Sequence, residues 1–149
     1  MKTKKILVPI DGSEQAFKAI DLAAELACNG NAEVVLLNVI GREQMPEAIR
    51  RFARVEHIDG PPEWQYEQLV AAGILKAGQQ RARNKGIKTI DTRVRHGDSA
   101  KAIVEAASDK SIDMIVMGNR GLGKVKGLAF GSVSQKVSHL APCSVITVT

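Results

Sequence analysis

Four continuous apolar runs and one alternating run divide the chain, and between them apolar residues recur every three to four positions. Residues 4–10 place Ile6, Leu7, Val8 and Ile10 close together, as in a strand buried on both faces of a parallel sheet. Asp11-Gly12-Ser13 makes a turn, with Ser13 placed to cap the helix in which Phe17, Ile20, Ala24 and Ala27 recur. Asn29-Gly30-Asn31 ends that helix, because Gly and Asn tolerate left-handed backbone. Residues 32–40 form a second buried strand. A long helix is predicted over 63–85, with Leu69, Ala72, Leu75 and Ala82 on one face and Asn84-Lys85-Gly86 as its stop. In 88–95, Ile90, Thr92 and Val94 alternate with charged residues, which predicts an edge strand with one wet face. Gly97-Asp98-Ser99 opens a helix carrying Ile103, Val104 and Ala107, and 112–117 is a fourth buried strand. After a glycine-rich loop, 132–140 is helical, with Ser132 and Gln135 at capping-box spacing. Pro142 breaks this helix, and 145–148 is a fifth strand.

Strand and helix alternate throughout, which implies an α/β fold: a Rossmann-like open parallel sheet with helices on both faces. In such sheets a ligand sits at the carboxyl ends of the strands, where strand order reverses. No repeat or linker divides the chain, so 1–149 reads as one domain. The least regular stretch is 41–62, with Pro46, Gly60, Pro61, Pro62 and the arginines 42, 50, 51 and 54. A short helix from 46 to about 55 is predicted there, and no role is assigned to the segment beyond a lid or partner surface.

Composition narrows the function classes. A chain of 149 residues with 44% hydrophobic and 25% charged residues can build a core without metal or disulfide staples. No apolar run approaches the roughly 18 residues that cross a bilayer, and the start lacks a signal peptide's apolar core, so the expected location is cytoplasmic without membrane insertion. Cys28 and Cys143 lack metal-ligand or redox-motif spacing and read as reduced, packed thiols. His57, His96 and His139 are scattered, and no metal site is expected. An aromatic content of 3% leaves too few rings for a surface that stacks single-stranded nucleic acid, and no nucleic-acid-binding signature accompanies the +5 net charge. The charge is uneven, however: no acidic residue follows Asp113, whereas Arg120, Lys124, Lys126 and Lys136 do. An anion would find this quarter hospitable.

Two loops can carry chemistry. Asp11 ends the first strand, where its carboxylate can accept from a ribose hydroxyl or a base amine, or can only cap the following helix, as in many Asp-Gly-Ser turns. The second loop follows strand four and holds five glycines between Gly118 and Gly131. Glycines let backbone N–H groups converge on phosphate oxygens, and the segment feeds a helix amino end that favours an anion. Ser132 and Ser134 add hydroxyls there. Gly118 and Gly123-Lys124 match part of a Walker loop, but Val125 stands where Ser or Thr should bind magnesium. Lys126 replaces the last glycine of a dinucleotide fingerprint, so neither pattern is supported.

Gly118-x2-Gly121-x9-Gly131-Ser132 does fit in full the G-2x-G-9x-G-(S/T) motif of the universal stress protein family. With Val-Pro-Ile-Asp-Gly-Ser at 8–13 and a closing strand after Ala-Pro-Cys, the chain resembles a single-domain member over essentially its whole length. The resemblance implies five parallel strands in the order 3-2-1-4-5, and ATP as the ligand, since the glycine motif marks the binding branch. It further implies that Asp11 contacts the adenosine part and that Pro9, Ile10 and Val39 wall the base. Met117 and Gly118 flank the ribose and phosphates. Gly121, Gly131, Ser132, Val133 and Ser134 hold the phosphates. Arg120 and Lys124 fall in the variable part of the motif, and Arg120 is added here as a charge partner. Magnesium would be held mainly by the phosphates. Members commonly dimerise through the last strand, here 144–148.

The function this favours is an ATP-dependent regulatory module of the stress response, read by a protein partner. The alternatives are a slow ATPase and a binder of AMP or another small ligand in the same crevice. No catalytic residue is assigned: Asp11 would sit by the adenosine, and Lys124 and Arg120 cannot activate water unaided.

Overall fold

The computed structural model describes residues 3–29, 31–41, 63–109, 111–119 and 131–149. The expected helix at 46–55, the arginines of 42–62, and Arg120, Gly121 and Lys124 lie outside them. The elements run β1 (Lys5–Pro9), α1 (Glu14–Cys28), β2 (Glu33–Ile40), α2 (Glu63–Asn84), β3 (Ile90–His96), α3 (Ser99–Ala107), β4 (Met114–Gly118), α4 (Ser132–Leu140) and β5 (Ser144–Val148). All strand pairs are parallel, and the sheet order is β3-β2-β1-β4-β5. The α/β class and the order 3-2-1-4-5 are as the sequence led us to expect. Among the described residues no helix is long and apolar enough to cross a membrane.

The pleat sorts the core into two layers. Ile6, Val8, Ile10, Val34 and Leu36 pack with α1 and with Leu75 and Ala82 of α2. Leu7, Val35, Leu37, Val39, Ile115 and Met117 pack with α3 and with Val137 of α4. Burial on both faces explains why β1 and β4 are apolar runs and why β2 is apolar from Val34 to Ile40 but for Asn38. β3 is an edge strand, as its alternation predicts. Asp113 ties the amino end of the sheet together: its Oδ2 accepts the N–H groups of Lys4 and Lys5 at 2.7 and 2.9 Å. Those two bonds hold its carboxyl below the usual range. Burial, with Asp113 as a lesser cause, pushes the Cys143 thiol up, so it stays protonated at neutral pH. Both cysteines are free, but only Cys143 is partly buried; Cys28, at the last position of α1, is exposed rather than packed as expected.

Three expectations are corrected. The buried face of α2 is Ala71, Leu75 and Ala82, whereas Leu69 is 64% exposed and Ala72 is also exposed. Spacings of four and eleven from Ala71 keep one helical face, while Leu69 lies about 120° around from Leu75 at 100° per residue. The pairing of β3 begins later than residue 88, with the Thr89 carbonyl accepting from Val34 N–H at 3.0 Å. Ser132 does not cap α4. The cap is Gly131, extended at φ −69° and ψ 153°, which makes Ser132 the first helical residue.

Candidate functional site

The neighbouring strands β1 and β4 part at their carboxyl ends, the place where an open parallel sheet offers a ligand crevice. They pair through Ile6↔Met114 and Leu7↔Ile115, and their carboxyl ends run on as Pro9 to Ser13 and as Met117 to Asn119. Strand order reverses here: β2 lies on one side of β1 and β4 on the other. Pro9 suits the last position of a central strand, where its missing N–H breaks little of the ladder. Gly12 then turns the chain at φ +86°, a backbone that side chains rarely adopt.

Asp11 shapes this turn. Its Oδ1 accepts the Ser13 N–H at 2.9 Å, and the Ser13 hydroxyl accepts the Ala16 N–H at 3.2 Å, capping α1. The turn role is therefore real, and the cap is Ser13 rather than Asp11. α3 is capped in the same way, with Asp98 accepting the Lys101 N–H at 3.0 Å.

α4 differs. Its cap, Gly131, has no side chain, and no side-chain cap bond is made. The first N–H groups of a helix have no intrahelical acceptor, so Ser132, Val133 and Ser134 present donors on the positive end of the helix dipole. Gly131 N–H donates to the Asn119 carbonyl at 2.8 Å, and Asn119 N–H donates to Val148 at 2.7 Å. The Ser134 hydroxyl, 2% exposed, lies 2.8 Å from the Asn119 carbonyl and 3.0 Å from that of Gly131. It therefore clasps the two ends of the 120–130 segment. What Ser134 can offer an anion is its backbone N–H, whereas Ser132 is exposed.

The structure brings Val39, Met117 and Val133 into one apolar cluster on the α3–α4 face. Ile10 does not join them through its side chain, which packs in the opposite layer and is 3% exposed. Only its backbone can border a ligand on the α4 side. Pro9, Asp11, Gly118 and Gly131 are partly exposed at the same end of the sheet. Sequence reasoning passed over Asn119, the joint between loop and β5, and Asn38, a buried amide inside an apolar strand. Only Asn38 carried a sequence signal, as a polar residue interrupting an apolar run.

Among the described residues no group of three or more His, Cys, Asp or Glu could hold a metal ion. A surface depression of about 350 Å³ among Asp21, Glu25, Cys28 and Lys85 lies at the opposite, amino end of the sheet. The carboxyl ends of β1 and β4 are the better candidate, because strand order reverses there and α4 starts there on a cap without a side chain.

The profile described as the universal stress protein family matches residues 2–149. The chain belongs to the universal stress protein family. Among its relatives, universal stress protein YxiE of Bacillus subtilis is 35% identical over 150 residues, covering 97% of each chain. Universal stress protein UspA from Lactobacillus plantarum superposes with a TM-score of 0.80 at 24% identity, covering 100% of this chain and 99% of that one. A universal stress protein solved in complex with cAMP superposes with a TM-score of 0.70 at 25% identity, covering 100% of this chain and 98% of that one. For this universal stress protein, the full-length superposition bears out the α/β fold with sheet order 3-2-1-4-5.

Proposed function

We propose that the chain is an ATP-binding regulatory module of the stress response, with its nucleotide seated where β1 and β4 part. The observation that carries this reading is the amino end of α4, which has no side-chain cap among the described residues and follows a glycine-rich segment without acidic residues. Phosphate is the chemistry such an end favours. The Gly131, Ser132, Val133 and Ser134 backbone would cradle it together with Gly121, and Arg120 would add charge. Met117 and Gly118 would flank the ribose. Asp11 would accept from the adenosine, and Val39, Pro9 and the Ile10 backbone would wall the base. Magnesium would enter with the nucleotide, held mainly by its phosphates. That a similar protein was solved in complex with cAMP supports a nucleotide as the ligand.

Regulation requires that ATP bind one state better than another. The states proposed are two forms of the loop or of a homodimer paired through β5, read by a protein partner in the cytoplasm. The free thiols of Cys28 and Cys143 fit a reducing compartment. The cAMP complex also favours a second reading, in which the ligand is AMP or another monophosphate. Slow hydrolysis would require phosphate release above a boiled control.

Calorimetric titration of nucleotide-stripped protein with ATP and magnesium tests the proposal. The expected result is one site per chain, weakened in Gly121→Val. Saturation by AMP with no gain from the further phosphates would favour the second reading. Absence of binding at millimolar ATP would overturn the ATP reading.

A further inference from the structure

β2 carries an amide inside its buried run. From Val34 to Ile40 every residue is buried, and Asn38 is 1% exposed among Val, Leu and Ile. Burying an amide is unfavourable unless its hydrogen bonds are replaced. Here they are replaced only in part. Nδ2 donates to the Ile10 carbonyl at 2.9 Å, and Oδ1 has no partner among the described residues. A carbonyl only accepts, so the Ile10 oxygen fixes which end of the amide faces it. An unsatisfied buried acceptor costs as much as an ordinary hydrogen bond contributes, or more. An aliphatic residue would exchange one orphan oxygen for another and add apolar burial. Stability alone therefore does not account for Asn38.

Its bond acts at the edge of the crevice. The β1–β2 ladder ends at Pro9↔Leu37. Ile10 N–H still reaches the Leu37 carbonyl at 2.8 Å, and the Ile10 carbonyl is taken by Asn38. Both backbone groups of the residue before Asp11 are thus tied to β2. The next residue of β2, Val39, packs in the layer of Met117 and Val133. We propose that Asn38 is a positioning residue of the nucleotide site: by holding the Ile10 carbonyl it sets the Asp11 turn in register with Val39. The role rests on the proposed nucleotide reading. It concerns the adenosine half, since Asn38 lies on the α1–α2 side of β2 and does not reach the α4 end.

The test compares full-length wild type with Asn38→Leu and Asn38→Val. Each is titrated with ATP, adenosine and inorganic triphosphate, melted without ligand, and followed by hydrogen exchange at the Ser13 amide. Both variants are expected to melt within a few degrees of wild type and to bind ATP and adenosine about tenfold more weakly. Their triphosphate affinity is expected to be unchanged, with faster exchange at Ser13 and unchanged exchange at Leu36. Equal weakening of all three probes alongside a lowered melting temperature would mark a purely structural amide and overturn the role. Wild-type affinities in both variants would overturn it alone. A wild-type chain that binds neither ATP nor adenosine would overturn the proposed function, and the positioning role with it.

Discussion

The Ser134 hydroxyl has one proton and two carbonyls within reach, Asn119 at 2.8 Å and Gly131 at 3.0 Å. Both carbonyls also accept backbone N–H groups, from Gly131 and from Gln135. Ser134→Ala therefore orphans neither, and removes one bond from the clasp between Asn119 and Gly131. We expect a loss of about 1 kcal/mol, or roughly 3 °C in Tm for a chain of this size, in the ligand-free protein. A hydroxyl that served only as a phosphate ligand would leave the ligand-free melt unchanged and lower only the rise caused by ATP, so the two melts separate the roles. Residue type and spacing made Ser134 legible as part of the loop–helix junction. The direction of its hydroxyl was not legible, because it depends on Asn119, fifteen residues away in sequence. The same holds for Ile10: the motif marks its position, but only the pleat shows that its side chain faces α1 and α2.

Among the elements, α2 shows how packing overrides a local pattern. The sequence led to Leu69 and Ala72 as part of its buried face, yet the helix turns Ala71, Leu75 and Ala82 inward. One reason lies at Gly78. A Cβ there would stand 2.6 Å from Ile10 Cδ1, 3.2 Å from Ile20 Cδ1 and 3.3 Å from Leu36 Cδ1, so the helix backbone approaches the sheet where a side chain would not fit. Gly73, on the same helix, has nothing within 4 Å of such a Cβ. Alanine at the two sites should act with opposite sign. Gly73→Ala should stabilise by up to about 1 kcal/mol through helix propensity. Gly78→Ala gains the same propensity but meets three buried methyl groups, and overpacking of about 1–3 kcal/mol should leave it less stable than wild type. Urea titrations of both variants check this, and a stabilised Gly78→Ala would show that the core yields at Ile10. Periodicity was sufficient for the existence and order of the nine described elements. It was insufficient for the cap of α4, because S-x-x-Q spacing can fall one residue inside a helix whose true cap is glycine.

For the molecule as a whole, the two edges of the sheet are unlike. β3 bears Arg93, Arg95 and His96, and Arg93 is paired with Asp91 at 3.1 Å and with Asp109 at 3.6 Å. Charges on an edge strand discourage pairing with another chain. β5 has the sequence Ser-Val-Ile-Thr-Val, carries no charge, and lies at the opposite edge with its last four residues half-buried. Asn119 N–H donates to the Val148 carbonyl at 2.7 Å, so Val148 directs its backbone inward. Backbone groups alternate along a strand, and those of Thr147 therefore point to the open edge. A homodimer paired through β5 would use them. Thr147→Pro removes the outward N–H while leaving the inward bonds of Ile146 and Val148, and proline is tolerated on an edge strand. Sedimentation should find wild type as a dimer and Thr147→Pro as a 16.0 kDa monomer with an unchanged far-ultraviolet spectrum. Because Asn119 joins β5 to the clasp of Gly131 and Ser134, the variant should also loosen any dependence of ATP affinity on protein concentration. A Thr147→Pro protein that remains dimeric would move the contact to another surface, and a wild type that stays monomeric at high concentration would remove the dimer from the proposed regulation.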